Sequence, residues 1–163
     1  MLSAKAEMLI RRPVAQVFEA FVDPAITSKF WFSRGSDKLA AGKTARWDWE
    51  MYGFSLNVVV KAVEANRRIL VEWSGAGQPP TTIEWTFRAR PDGTTYVTVA
   101  NYGFPGDVEQ VAKQAIGSTE GFTFLLAGAK AWLEHGIQLN LVRDKYPDGL
   151  PKPESASTVD ASP

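Results

Sequence analysis

Between Thr44 and Tyr102 apolar and polar side chains alternate with a period of two in one segment after another, as half-buried strands do. Residues 44–51 set Ala45, Trp47, Trp49 and Met51 on one face against Thr44, Arg46, Asp48 and Glu50 on the other. After a tight turn at Tyr52-Gly53, residues 54–63 put Phe54, Leu56, Val58, Val60 and Ala62 on one side. Ile69, Val71 and Trp73 share a face in the next segment, and Ile83, Trp85, Phe87 and Ala89 share one across residues 82–89. Residues 95–102 close the series with Val97, Val99 and Asn101 in phase. The connections are a loop at residues 75–80 and turns such as Pro91-Asp92-Gly93. None is long enough for a parallel crossover of about a dozen residues, so the segments predict an antiparallel meander.

Helical spacing flanks this region. Residues 4–11 read as an opening strand with Met8 and Ile10 on one face, and Pro13 suits a first helical turn. Val14, Val17, Phe18, Phe21 and Val22 then follow a helical period that Asp23-Pro24 stops, with a second short helix expected over residues 25–31. Asp107 has the character of an N-cap for a long helix over residues 107–139. Its apolar stripe is Phe122, Leu125, Leu126, Ala129, Trp132 and Leu133. Ser118-Thr119-Glu120 after Gly117 predicts a bend, and Gly121 and Gly128 leave room for close approach to the sheet. The fold class is therefore α+β, a curved antiparallel sheet wrapped around a long C-terminal helix, with two short helices after the first strand. One domain is expected over residues 1–149, and residues 150–163, rich in Pro, Ser, Ala and Asp, read as a disordered tail.

Composition narrows the function classes. With 18 basic and 18 acidic residues there is no global field to draw the chain to nucleic acid or to an anionic membrane. Cysteine is absent, which removes disulfides, thiolate metal sites and thiol chemistry together. Lys5, Glu7, Arg11 and Arg12 interrupt the N-terminal segment, and no run approaches the roughly 20 apolar residues of a membrane span. A cytoplasmic location is the expectation.

Candidate chemistry is sparse. His135 is the lone histidine, so a metal site would have to recruit carboxylates alone, and no such ligand spacing is present. Ser118 and Thr119 have no base at a nucleophile-activating spacing. There is no phosphate loop, dinucleotide fingerprint or zinc pattern, so no cofactor and no catalytic residue is assigned. Arg46, Asp48, Glu50, Glu84 and Arg88 fall on outward phases where cross-strand pairing is the default. What remains is a face crowded with indoles, which serves either as plain core or as the wall of an apolar pocket. Asn101 is its one in-phase amide, suited to orienting a ligand or to bonding backbone at the strand end.

The motifs Arg12-Pro13-Val14-Ala15-Gln16-Val17-Phe18, Phe21-Val22-Asp23-Pro24, Trp31-Phe32, Gly53-Phe54 and Gly121-Phe122 resemble the START-like (SRPBCC) helix-grip superfamily. They are most similar to its branch named for the activator of the ninety-kilodalton heat-shock-protein ATPase, over about residues 5–146. The resemblance implies a cavity between sheet and helix that in the wider superfamily takes sterols, lipids, hormones or polyketides. It does not imply chaperone activity, since many bacterial members are single domains of unassigned function. The expected function is non-enzymatic binding of a small hydrophobic molecule by Trp31, Trp49, Met51, Trp73, Trp85, Phe87, Asn101, Phe122 and Leu126. The alternatives are a polyketide cyclase, dehydratase or hydrolase acting in the same cavity, and a chaperone-associated or regulatory module with a protein partner or a second copy of itself.

Overall fold

The computed structural model describes residues 1–151. The opening strand is β1 (Ala4–Ile10), followed by α1 (Val14–Val22) and α2 (Pro24–Thr27). A two-residue strand, β2 (Arg34–Gly35), precedes β3 (Thr44–Trp49), a single 3-10 turn (Glu50–Tyr52) and β4 (Phe54–Glu64). Then come β5 (Arg68–Ser74), β6 (Thr81–Ala89), β7 (Thr95–Tyr102), the long α3 (Val108–His135) and α4 (Leu141–Lys145). The strands form one seven-stranded antiparallel sheet in the order β1-β7-β6-β5-β4-β3-β2. The meander is as expected, and β1 returns to pair with β7. A register shift between Val60 and Ala62 places a bulge in β4, which adds bend and twist to the sheet.

Local details differ from the sequence reading for identifiable reasons. The second helix is one turn, Pro24–Thr27, capped by the Asp23 carboxylate on the Ala25 amide at 3.0 Å. Beyond it the chain continues in turns, with the Trp31 amide donating to the Thr27 carbonyl at 3.0 Å. α3 is continuous through Gly117, because Ser118 and Thr119 do not cap a new helix. The Thr119 hydroxyl donates back to the Ala115 carbonyl at 2.7 Å, and Ser118 reaches across to β7. The helix starts on the expected Asp107 N-cap, which the structure completes as a capping box with Gln110, and stops at Gly136, whose left-handed φ of 65° ends it before Leu139. Gly128 accommodates the Phe30 loop instead of a strand: a Cβ there would meet Phe30 Cβ and the Phe30 carbonyl oxygen, each at 3.2 Å. The tail expected over residues 150–163 falls, from residue 152 onward, outside the described residues.

The core lies on the concave face of the sheet, and its centre is Trp31. This side chain comes from the loop after α2, yet it is 5% exposed. Its ring centroid stands 5.0 Å from Trp47, 5.6 Å from Trp49, 5.8 Å from Trp73, 6.0 Å from Trp85 and 5.9 Å from Phe122. Phe32 stacks on Trp47 at 5.1 Å, and Phe122 of α3 stacks on Trp73 at 5.7 Å. The middle of the space between sheet and helix is thus filled by rings.

The β1 edge is tied to the end of α3 by polar bonds. The Glu134 carboxylate accepts from the Arg11 amide at 2.9 Å and from Lys130 Nζ at 2.6 Å, while Lys130 also donates to the Leu9 carbonyl at 2.8 Å. Arg12 reaches the Glu134 carbonyl at 2.8 Å. Burial alone would raise the Glu134 carboxyl, but the Arg11 amide and the Lys130 ammonium outweigh it and hold the group below its ordinary range.

Two stability tests follow from this packing. Trp31→Ala should lose about 3–5 kcal/mol of unfolding free energy in urea, as large aromatic truncations do, and Trp31→Phe should lose distinctly less. A loss under about 1 kcal/mol for Trp31→Ala would show that the rings do not depend on it. A carboxyl with a lowered folded pKa stabilises above its unfolded value of about 4.3, and that contribution disappears as pH falls through the folded pKa. Glu134→Gln should therefore be less stable than the parent by about 1 kcal/mol at pH 7, with the gap closing as pH falls below the ordinary carboxylate range. A gap independent of pH would contradict the ionic role.

Candidate functional site

Free space lies at the two ends of the aromatic block. At one end a groove of about 430 Å³ opens between the start of β4, the end of β5, the β5–β6 loop, the β7–α3 loop and the first half of α3. Phe54, Leu56, Trp73, Pro79 and Pro105 give it apolar walls, and Thr81 and Gln114 are among its polar groups. All its lining residues are uncharged. The volume falls inside the range of roughly 300–1,000 Å³ that small-molecule sites occupy. At the opposite end a recess of about 260 Å³ runs between the 28–33 loop, Gly128 and residues 138–143, with Lys29 and Arg143 on its rim. The Tyr52 hydroxyl straps α4 across that recess by donating to the Val142 carbonyl, and burial pushes its phenol pKa up.

The residues predicted for the site divide among four places. Trp73 lines the groove, and Trp31 and Met51 line the recess. Trp49, Trp85, Phe87, Phe122 and Leu126 stand in the closed block and line neither space. Asn101 is 2% exposed and belongs to a buried polar chain immediately behind the groove. Ser118 of α3 donates to Asn101 Oδ1 at 2.8 Å, and Asn101 Nδ2 donates to the Thr82 carbonyl at 2.8 Å and to Thr81 Oγ1 at 3.1 Å. Trp73 Nε1 donates to the same Thr81 oxygen at 2.9 Å. The chain links α3, β7, β6 and β5 at the mouth of the fold. Among the described residues the indole N–H groups of Trp49 and Trp85 have no such partner. Both indoles stand edge to face with Trp31, at interplanar angles of 79° and 68°.

Two groove residues were not singled out from the sequence, although both carry a signal. Thr81 is in phase with Ile83, Trp85 and Phe87, and pairs with Trp73 across the ladder. Gln114 precedes Ser118 by four positions and Phe122 by eight, which continues the inner stripe of α3 by two turns. His135 is on the exposed last turn of α3, away from both spaces. Of the outward charges, Glu84 pairs across the ladder with Arg68 at 2.5 Å, whereas Arg46 pairs with Asp48 of its own strand at 2.8 Å. The Ser55 hydroxyl and Arg46 hold the Asp48 carboxyl below its usual range. Among the described residues no cluster of three or more His, Cys, Asp or Glu is placed to hold a metal, and no helix is long and apolar enough to cross a membrane.

Comparison with known proteins agrees with this architecture. The profile of the family described as Activator of Hsp90 ATPase homolog 1-like protein matches residues 11–131. The crystal structure of protein SSP2350 from Staphylococcus saprophyticus is 33% identical, with a TM-score of 0.72 over 85% of this chain and 96% of its own. The solution structure of the Aha1 dimer from Colwellia psychrerythraea is 18% identical, with a TM-score of 0.68 over 83% of this chain and 98% of its own. The crystal structure of CalU16 from Micromonospora echinospora is 15% identical, with a TM-score of 0.65 over 86% of this chain and 80% of its own. The last two share the fold alone. Among curated proteins none matches. The matched profile spans α1, the meander and most of α3, so this helix-grip chain belongs to the Activator of Hsp90 ATPase homolog 1-like protein family.

Proposed function

We propose that this protein binds a small, uncharged, largely apolar molecule in the groove walled by Phe54, Leu56, Trp73, Pro79 and Pro105, without carrying out a reaction on it. The observation that carries the proposal is the uncharged lining of a space of about 430 Å³ set directly against the aromatic block. Each Å² of apolar ligand surface buried there contributes around 25 cal/mol before ordering costs are subtracted. A charged ligand would lose its hydration against walls that offer no counter-charge. Proton-transfer chemistry is disfavoured for the same reason, because no side chain on those walls titrates near neutral pH. Trp73 is the contact residue among those expected from the sequence; Trp49, Trp85, Phe87, Phe122 and Leu126 support it from behind.

Native mass spectrometry of protein purified from its own host should show a retained neutral small molecule. Titration with a panel of neutral aromatics should quench tryptophan emission saturably. Pro79→Trp, which adds a ring at the exposed edge of the groove, should weaken that binding at least tenfold while leaving the fold intact by circular dichroism. Neither a retained mass nor saturable quenching, or equal affinity in Pro79→Trp, would overturn the assignment.

A further inference from the structure

We infer that the groove is selective for a ligand bearing a hydrogen-bond acceptor, such as a ketone oxygen, and that the Thr81 hydroxyl is the donor that selects it. This rests on the groove being the binding site and adds the polar half of its specificity. The direction of the Thr81 proton follows from its neighbours. An indole N–H can only donate, so at 2.9 Å from Trp73 Nε1 the Thr81 oxygen must accept. Asn101 is also fixed: its Nδ2 faces the Thr82 carbonyl at 2.8 Å, where a flipped amide would set two acceptors against each other. Its Oδ1 in turn takes the Ser118 hydroxyl at 2.8 Å. The second Asn101 amide hydrogen therefore goes to Thr81 Oγ1 at 3.1 Å, and both lone pairs of that oxygen are taken.

The hydroxyl hydrogen is left over. Among the described residues Thr81 Oγ1 donates to no protein atom, and Thr81 is part of the groove wall. A donor aligned from behind by two other side chains, Trp73 and Asn101, costs a ligand little reorganisation to use. Gln114 on the facing helix has the complementary property. Its Nε2 is committed to the Pro105 carbonyl at 2.8 Å and the Gln110 carbonyl at 3.0 Å, so its free amide atom is the Oε1 acceptor. With no cation on the walls, a carboxylate or phosphate is a poor fit for the Thr81 donor, whereas a neutral carbonyl satisfies it at no charge cost.

The test uses two neutral probes of nearly equal size, fluorenone and fluorene, which differ by the ketone. Isothermal titration of the full chain should show fluorenone binding more tightly, by about five- to tenfold, the contribution of one hydrogen bond. Thr81→Val should abolish that preference by weakening fluorenone while leaving fluorene within about twofold. Thr81→Ser, which keeps the hydroxyl, should restore it. Because Thr81→Val also deprives Trp73 and Asn101 of an acceptor, retained fluorene binding is the control that the groove is still formed. Equal affinity of the parent for the two probes, or a preference that survives in Thr81→Val, overturns the donor role and leaves the apolar site standing. Failure of the parent to bind either probe overturns both.

Discussion

The constraint on which this structure depends is volume. A bent sheet closed over a single helix encloses more space at its middle than the aliphatic side chains of either layer can fill, and interiors pack to a density near 0.74. Trp31 supplies the missing volume from neither layer. It enters from the loop after α2, held there by the bond from its amide to the Thr27 carbonyl, and Thr27 is itself anchored through its hydroxyl to the Ala20 carbonyl at 2.6 Å. Ser33, two residues on, pins the loop to β3 by donating to the Asp48 carbonyl and accepting from the Glu50 amide. The short helices therefore serve to deliver one indole to the centre.

Filling the centre with indoles has a polar consequence. Each buried N–H without a partner costs about 1–3 kcal/mol, and Trp49 and Trp85 both carry one. Both stand edge to face with Trp31, inside the block of rings that excludes other polar side chains from the centre. Trp73, nearest the mouth, is instead satisfied by Thr81. The same residue type is thus surrounded by rings at the centre and hydrogen-bonded to a hydroxyl at the end.

Much of the architecture was legible because it is written in short-range periods. The strands from Thr44 to Tyr102 alternate almost without interruption, and the N-cap at Asp107 marks the start of α3 correctly. What the period could not show is where space is left. The 28–33 loop has no period, so nothing local distinguishes Trp31 as the residue that closes the middle, and the cavity expected between sheet and helix is displaced to its ends. The helix runs uninterrupted through Gly117 for a related reason. Ser118 and Thr119 are capping residues by type, but a long-range partner, Asn101, and a back-bond to Ala115 claim their hydroxyls. β2, at two residues, is too short to carry a pattern.

The division between a sealed centre and an open mouth decides where specificity can reside. A ligand entering the centre would have to displace Trp31 from six neighbouring rings, whereas the groove is already formed and asks for no such rearrangement. The aromatic block then acts as a rigid backstop that holds Trp73 in place, and the Ser118–Asn101–Thr81 chain fixes the polar edge of the same wall. Both supports converge on Trp73 and Thr81, which face each other across the β5–β6 ladder. An apolar contact and an oriented hydroxyl are thereby held in fixed relation by a register that the sheet cannot shift without turning its indoles to solvent.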